Sequence, residues 1–91
     1  MQQRITLEVQ QAHARFEQAR ETYQSWHDRI LPPLQQAVHQ AGKAYEAGDV
    51  SYSFVLEAQR RHVEALLHDA EAAAEMRRAA AELDRSIGSK Q

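Results

Sequence analysis

The sequence predicts an all-α protein, a long antiparallel helical hairpin of coiled-coil type. Three observations carry this. The composition is poor in helix breakers, with 3 Gly and 2 Pro in 91 residues and no cysteine. An apolar seam repeats at heptad spacing along the first half. A single turn signal, AYEAGDVSY from Ala44 to Tyr52, interrupts two arms of similar length.

In the first arm, Ile5, Val9, Ala12, Phe16, Ala19, Tyr23, Trp26 and Ile30 recur at alternating steps of four and three. That spacing keeps one stripe of a helix apolar, with Gln, Glu, Arg and His around the rest. Pro32 and Pro33 then interrupt it, since proline removes a donor and clashes with the preceding turn. The apolar positions resume at Leu34, Val38, Ala41 and Tyr45, a stutter in the heptad. The expectation is a helix over about 3–46, kinked or briefly broken near Pro32 and Pro33 but keeping its direction.

The turn is expected over about 47–50, with Gly48 free to take positive φ and Ser51 placed to cap the next helix through the amide of Ser53 or Phe54. The returning helix is expected over about 51–87. Its candidate seam is Leu56, Val63, Leu66, Ala70, Ala73, Met76, Ala80, Leu83 and Ile87, with a polar gap at Gln59 and Arg60 and a stop at Gly88. The alanine-rich stretch from Ala70 to Ala81 has high helix propensity and permits close approach of a neighbour.

Charge and composition exclude several classes. The 11 basic and 13 acidic residues are interspersed, so there is no basic patch for nucleic acid. No run of about 20 apolar residues is present to span a membrane, and the opening MQQRITLEVQ lacks the apolar core of a secretory signal. No nucleophile with a base at workable spacing, no phosphate-cradling glycine loop and no paired carboxylates in a cleft are evident, so no enzyme and no cofactor are expected. The histidines His13, His27, His39, His62 and His68 contain no i, i+4 pair to grip zinc from one helix face. In a hairpin turning at Gly48, residues whose numbers sum to about 97 lie level, which brings His27 near His68 and His39 less closely near His62. Surface or interfacial histidine is the simpler reading, and no metal site is assigned.

The pattern Tyr45-x-x-Gly48-x-x-Ser51 followed by Val55-Leu56-x-Ala58-Gln59 resembles the hairpin signature of the TolC-like outer-membrane efflux family. The flanks QQAHARFEQARETYQ and AEAAAEMRRAAAELDRSIG resemble its descending and ascending helices, and the proline after RIL resembles heavy-metal efflux members. The likeness covers essentially the whole chain. It implies a trimeric channel of the outer membrane and periplasm in a Gram-negative bacterium. The periplasmic hairpins of such a channel dock an adaptor protein that links it to an inner-membrane pump. It implies that Tyr45, Gly48, Asp49, Val50 and Ser51 form the adaptor-binding tip. With no barrel strands and one hairpin, the chain is expected to be a piece of a larger channel subunit or a free-standing remnant. Val50 and Phe54 stand where some members carry charged gate residues, so a salt-bridge gate is not expected; Glu57 is the one candidate inward-facing acid.

The alternative is a self-associating coiled-coil interaction or scaffold protein unrelated to efflux. In either case a lone hairpin of this size leaves Phe16, Tyr23 and Trp26 short of cover. The isolated chain is therefore expected to dimerise into a four-helix bundle.

Overall fold

The computed structural model describes residues 2–88, and the side chains of residues 6–88. Among them every regular element is helical: α1 (Gln2–Gln24), a π-helical segment (Ser25–Ile30), α2 (Leu31–Glu46) and α3 (Tyr52–Gly88). The fold is the all-α antiparallel hairpin that the sequence predicts. Its residues group into two compact units. One spans 24–70; among the described residues the other comprises 2–23 and 71–88.

In the unit spanning 24–70, the π-helical segment and α2 run antiparallel to the first half of α3. Trp26 stacks on His68 with ring centroids 4.6 Å apart and planes at 16°. About five helical turns further from the tip than the aromatic pair Tyr45–Tyr52, His27 meets Asp69 at 3.1 Å. In the other unit, Arg15 on α1 pairs with Glu82 on α3. These pairs fix the register. They set Phe16 level with Ala79, Ala19 with Met76 and Tyr23 with Ala72 in one unit, and Ile30 with Ala65 in the other.

The seam predicted for the first arm is the packed one. Ala12, Ala19 and Ala41 are buried, and Val9, Phe16, Tyr23, Trp26, Ile30, Leu34 and Val38 are half-buried. Tyr45 is the exception, exposed at the end of α2. The side chain of Ile5 lies outside the described residues.

On α3 the seam is one residue out of phase with the expectation as far as Ala70, and meets it again at Met76 and Leu83. Val55, Ala65, Ala72 and Ala79 are buried, with Ala58, His62, Asp69, Met76, Leu83 and Ser86 half-buried between them. Steps of three and four run without a gap from Val55 to Ser86. The expected Leu56, Val63, Leu66, Ala70 and Ile87 are exposed instead. The physical reason is complementarity. The first arm supplies bulky side chains, and a closely packed partner must answer them with small ones. Alanine does this while contributing little to a hydrophobic pattern, and His62 and Asp69 on the same stripe disguise it further.

The prolines do not break the helix. Gln24, Ile30 and Leu31 all keep right-handed helical backbone angles, and the Leu31 N–H donates to the Trp26 carbonyl, a bond of five residues' span. Pro32 and Pro33 fall in the first turn of α2, where their missing donors and ring bulk are tolerated. The widened π-turn ahead of them rotates the phase of the chain, as such insertions do. It brings Leu31 into the buried set beside Ile30 and absorbs the stutter that the sequence displays. At the other end, Gly88 lies within α3 without positive φ and is not a left-handed helix stop.

The seam assignment is checked by placing the same substitution on two faces of α3. Ala65 is 2% exposed, so Ala65→Leu should destabilise by about 1–3 kcal/mol through overpacking. The exposed Ala81→Leu should change stability by less than about 0.5 kcal/mol. Urea unfolding followed by circular dichroism measures both, and equal effects would place the seam elsewhere.

Candidate functional site

The tip of the hairpin is built from the backbone outward. α2 ends in a Schellman motif. The Gly48 N–H donates to the Tyr45 carbonyl at 2.9 Å and the Asp49 N–H to the Ala44 carbonyl at 2.9 Å, while the Ala47 N–H still reaches Lys43 at 3.0 Å. This closure requires a left-handed residue between Ala47 and Asp49, and Gly48 supplies it with φ +82. A side chain at Gly48 would meet no atom of this chain within 4 Å. The glycine is therefore needed for its backbone angle, and the peptide around it is open to approach from outside.

Ser51 then starts α3. Its hydroxyl oxygen accepts from the Phe54 N–H at 3.4 Å, and its carbonyl accepts from the same amide at 3.1 Å. This is one of the two N-cap bonds the sequence offers, the one to Phe54, and caps of this kind contribute about 1 kcal/mol. The five residues read as a tip from sequence are thus brought together. Gly48, Asp49 and Ser51 are exposed on the turn, Val50 is half-buried beneath it, and Tyr45 is exposed at its edge.

Aromatic side chains frame the turn. Tyr45 and Tyr52 meet across it with ring centroids 5.4 Å apart and planes tilted by 56°. This is the stapling contact between the two helix ends. Both rings and that of Phe54 are nevertheless exposed, so the contact leaves most of their surface to solvent. Phe54 also walls a shallow groove of about 290 Å³, with Leu34, Ala37 and Ala58 as its floor and Glu57 and Arg61 at its rim.

Glu57 is not an isolated acid. It accepts from Arg60 at 2.7 Å and from Arg61 at 3.3 Å, and Arg60 also reaches Glu64 at 3.2 Å. The Arg60 hydrogen bond, with the charges of Arg60 and Arg61 adding to it, holds the Glu57 carboxyl below the usual carboxylate range. Glu57 thereby raises Arg60 in turn. The tip carries apolar aromatic surface beside a neutralised cluster of charge.

The histidines separate. His27 faces Asp69, and His68 lies flat on Trp26. His62 occupies a seam position, with Nε2 buried and unpartnered. Among the described residues, no three His, Cys, Asp or Glu side chains converge as a metal would require. No helix of the described chain is long and apolar enough to cross a membrane.

No family model, no curated protein and no solved structure matches the chain. The site therefore stands on its own geometry. Two of its parts were hard to find in sequence. The exposure of Tyr52 and Phe54 follows from the phase of α3, which the alanine seam hides. The π-helical segment leaves only the run of four-residue steps from Trp26 to Val38 as its signal.

Two outcomes follow. Gly48→Ala should cost about 1–2 kcal/mol, the penalty for a Cβ in left-handed backbone; thermal unfolding at fixed concentration measures it, and an unchanged midpoint would contradict the Schellman closure. The second concerns Glu57. Its folded pKa is depressed, so its stabilising contribution is present above the unfolded carboxylate value and fades as pH falls through the folded one. In an NMR titration, Arg60→Ala should move the Glu57 carboxyl up toward the ordinary range; no movement would remove Arg60 as the cause.

Proposed function

We propose that the chain is a docking hairpin of TolC-like type, the periplasmic coiled-coil part of an outer-membrane efflux channel whose tip engages a periplasmic adaptor protein. In this reading it contributes to export of small molecules or metal ions, and the parent subunit resides in the outer membrane and periplasm of a Gram-negative bacterium. One observation carries the reading. Gly48 presents backbone to open space at φ +82, framed by the exposed rings of Tyr45, Tyr52 and Phe54. An apolar rim around an accessible peptide suits the turn of another helical hairpin, which can approach closely only where no side chain intervenes. The pairing of Glu57 with Arg60 and Arg61 beside Phe54 favours an apolar contact over a charged gate.

A second reading, a self-associating coiled-coil module, is favoured by a different observation: the large apolar residues that α3 leaves exposed away from its buried seam.

The adaptor reading is tested by calorimetric titration of the chain with a purified periplasmic adaptor from the same organism's efflux assemblies. Saturable binding is expected for the natural chain. Gly48→Asn should weaken it at least about tenfold, because asparagine tolerates positive φ and so keeps the turn while placing a side chain over the peptide. Circular dichroism should be unchanged. Absence of binding, or equal binding by both proteins, overturns the reading.

A further inference from the structure

We propose that Tyr45 and Tyr52 form an oxidative coupling site, where a haem peroxidase with hydrogen peroxide joins the two rings by a carbon–carbon bond and ties the end of α2 to the start of α3. The proposal is independent of both functional readings above.

The sequence places one tyrosine in the last turn of α2 and the other at the first residue of α3. Closeness in the chain does not by itself make two rings meet; the turn does. The left-handed closure at Gly48 and the Ser51 cap fix both helix ends, and with them the backbone that carries each ring. Across that turn the ring centroids lie 5.4 Å apart with planes tilted by 56°. In a directly bonded pair of rings the centroids are nearer than this by less than one carbon–carbon bond length, and the planes are likewise twisted. Small rotations of two exposed side chains close the gap without moving the helices.

The rings are also within reach of an oxidant. Tyr45 is 45% exposed and Tyr52 55%. The third tyrosine, Tyr23, is half-buried on the seam of the first arm. The chain contains no cysteine, whose thiol would reduce a tyrosyl radical before it coupled.

The reaction balances. Each phenol gives one electron and its hydroxyl proton to the oxidised haem and becomes a phenoxyl radical, with spin density on the ring carbons ortho to the oxygen. One ortho carbon of Tyr45 then bonds to one of Tyr52. The hydrogen on each of those carbons leaves as a proton and another returns to the adjacent oxygen, which restores both phenols. The two electrons and two protons removed reduce one hydrogen peroxide to two waters. The chain contributes position. Rings already in contact couple as a unimolecular step, ahead of encounters between chains in dilute solution.

The test treats the whole chain, at low micromolar concentration, with a haem peroxidase and hydrogen peroxide. Intact mass and the blue fluorescence of coupled tyrosines are the readouts. The expected product is a single chain lighter by two hydrogens. Cleavage after Glu46 should leave the two tyrosine-bearing peptides joined. Tyr45→Phe and Tyr52→Phe should each lower this product at least about tenfold, while Tyr23→Phe leaves it unchanged. Since both tip rings are exposed, these two variants should keep their helicity by circular dichroism. The coupled chain should also unfold at a thermal midpoint at least about 4 °C higher, because a covalent tie across the turn restricts the unfolded chain. No coupling, coupling only between chains, or a bond that uses Tyr23 overturns the proposal. A coupled chain whose midpoint is unchanged or lowered overturns the fit of the bond to the native turn.

Discussion

The close packing of bulky side chains on one helix against alanines on its antiparallel partner is the constraint on which the rest depends. Phe16, Tyr23 and Ile30 need space, and Ala79, Ala72 and Ala65 stand level with them to provide it. Where the first arm turns small, at Ala19, α3 answers with Met76. The alternation keeps the interface filled without large side chains on both sides. It also has a cost. An alanine seam removes little apolar area from water, and among the described residues no large side chain is fully buried. Each unit also carries cross-helix polar or aromatic pairs. Arg15–Glu82 serves in one; Trp26–His68 and His27–Asp69 serve in the other.

Maintaining that seam past two prolines demands a change of helix type. A regular α-helix would direct the Pro32 and Pro33 rings into the preceding turn. The π-helical segment Ser25–Ile30 loosens the backbone one turn earlier and rephases it, so that Ile30 and Leu31 both reach the interface. The Trp26–His68 stack and the His27–Asp69 contact sit on this segment. These cross-helix contacts thus lie where the backbone hydrogen bonding is least regular.

Placing alanines inward sends the large apolar residues of α3 outward. This single consequence connects the two functional readings. Tyr52 and Phe54 come to frame the Gly48 turn, and Leu56, Val63 and Leu66 continue along the outside of the same helix. Several of the larger hydrophobes of α3 therefore face solvent.

Much of this was legible in the residue pattern alone. Two helices, the turn at Gly48, the Ser51 cap and the seam of the first arm all follow from local rules, because capping, positive φ and heptad spacing act over a few residues. Which face of α3 turns inward does not follow. Two heptad stripes one residue apart are equally periodic, and hydrophobicity favours Leu56, Val63 and Leu66. Only the paired helices reveal that volume decides, since the bulky Phe16, Tyr23 and Ile30 stand level with small residues of α3. The π-turn belongs with it. The prolines announce a disturbance, but its form depends on what the neighbouring helix requires Ile30 and Leu31 to reach.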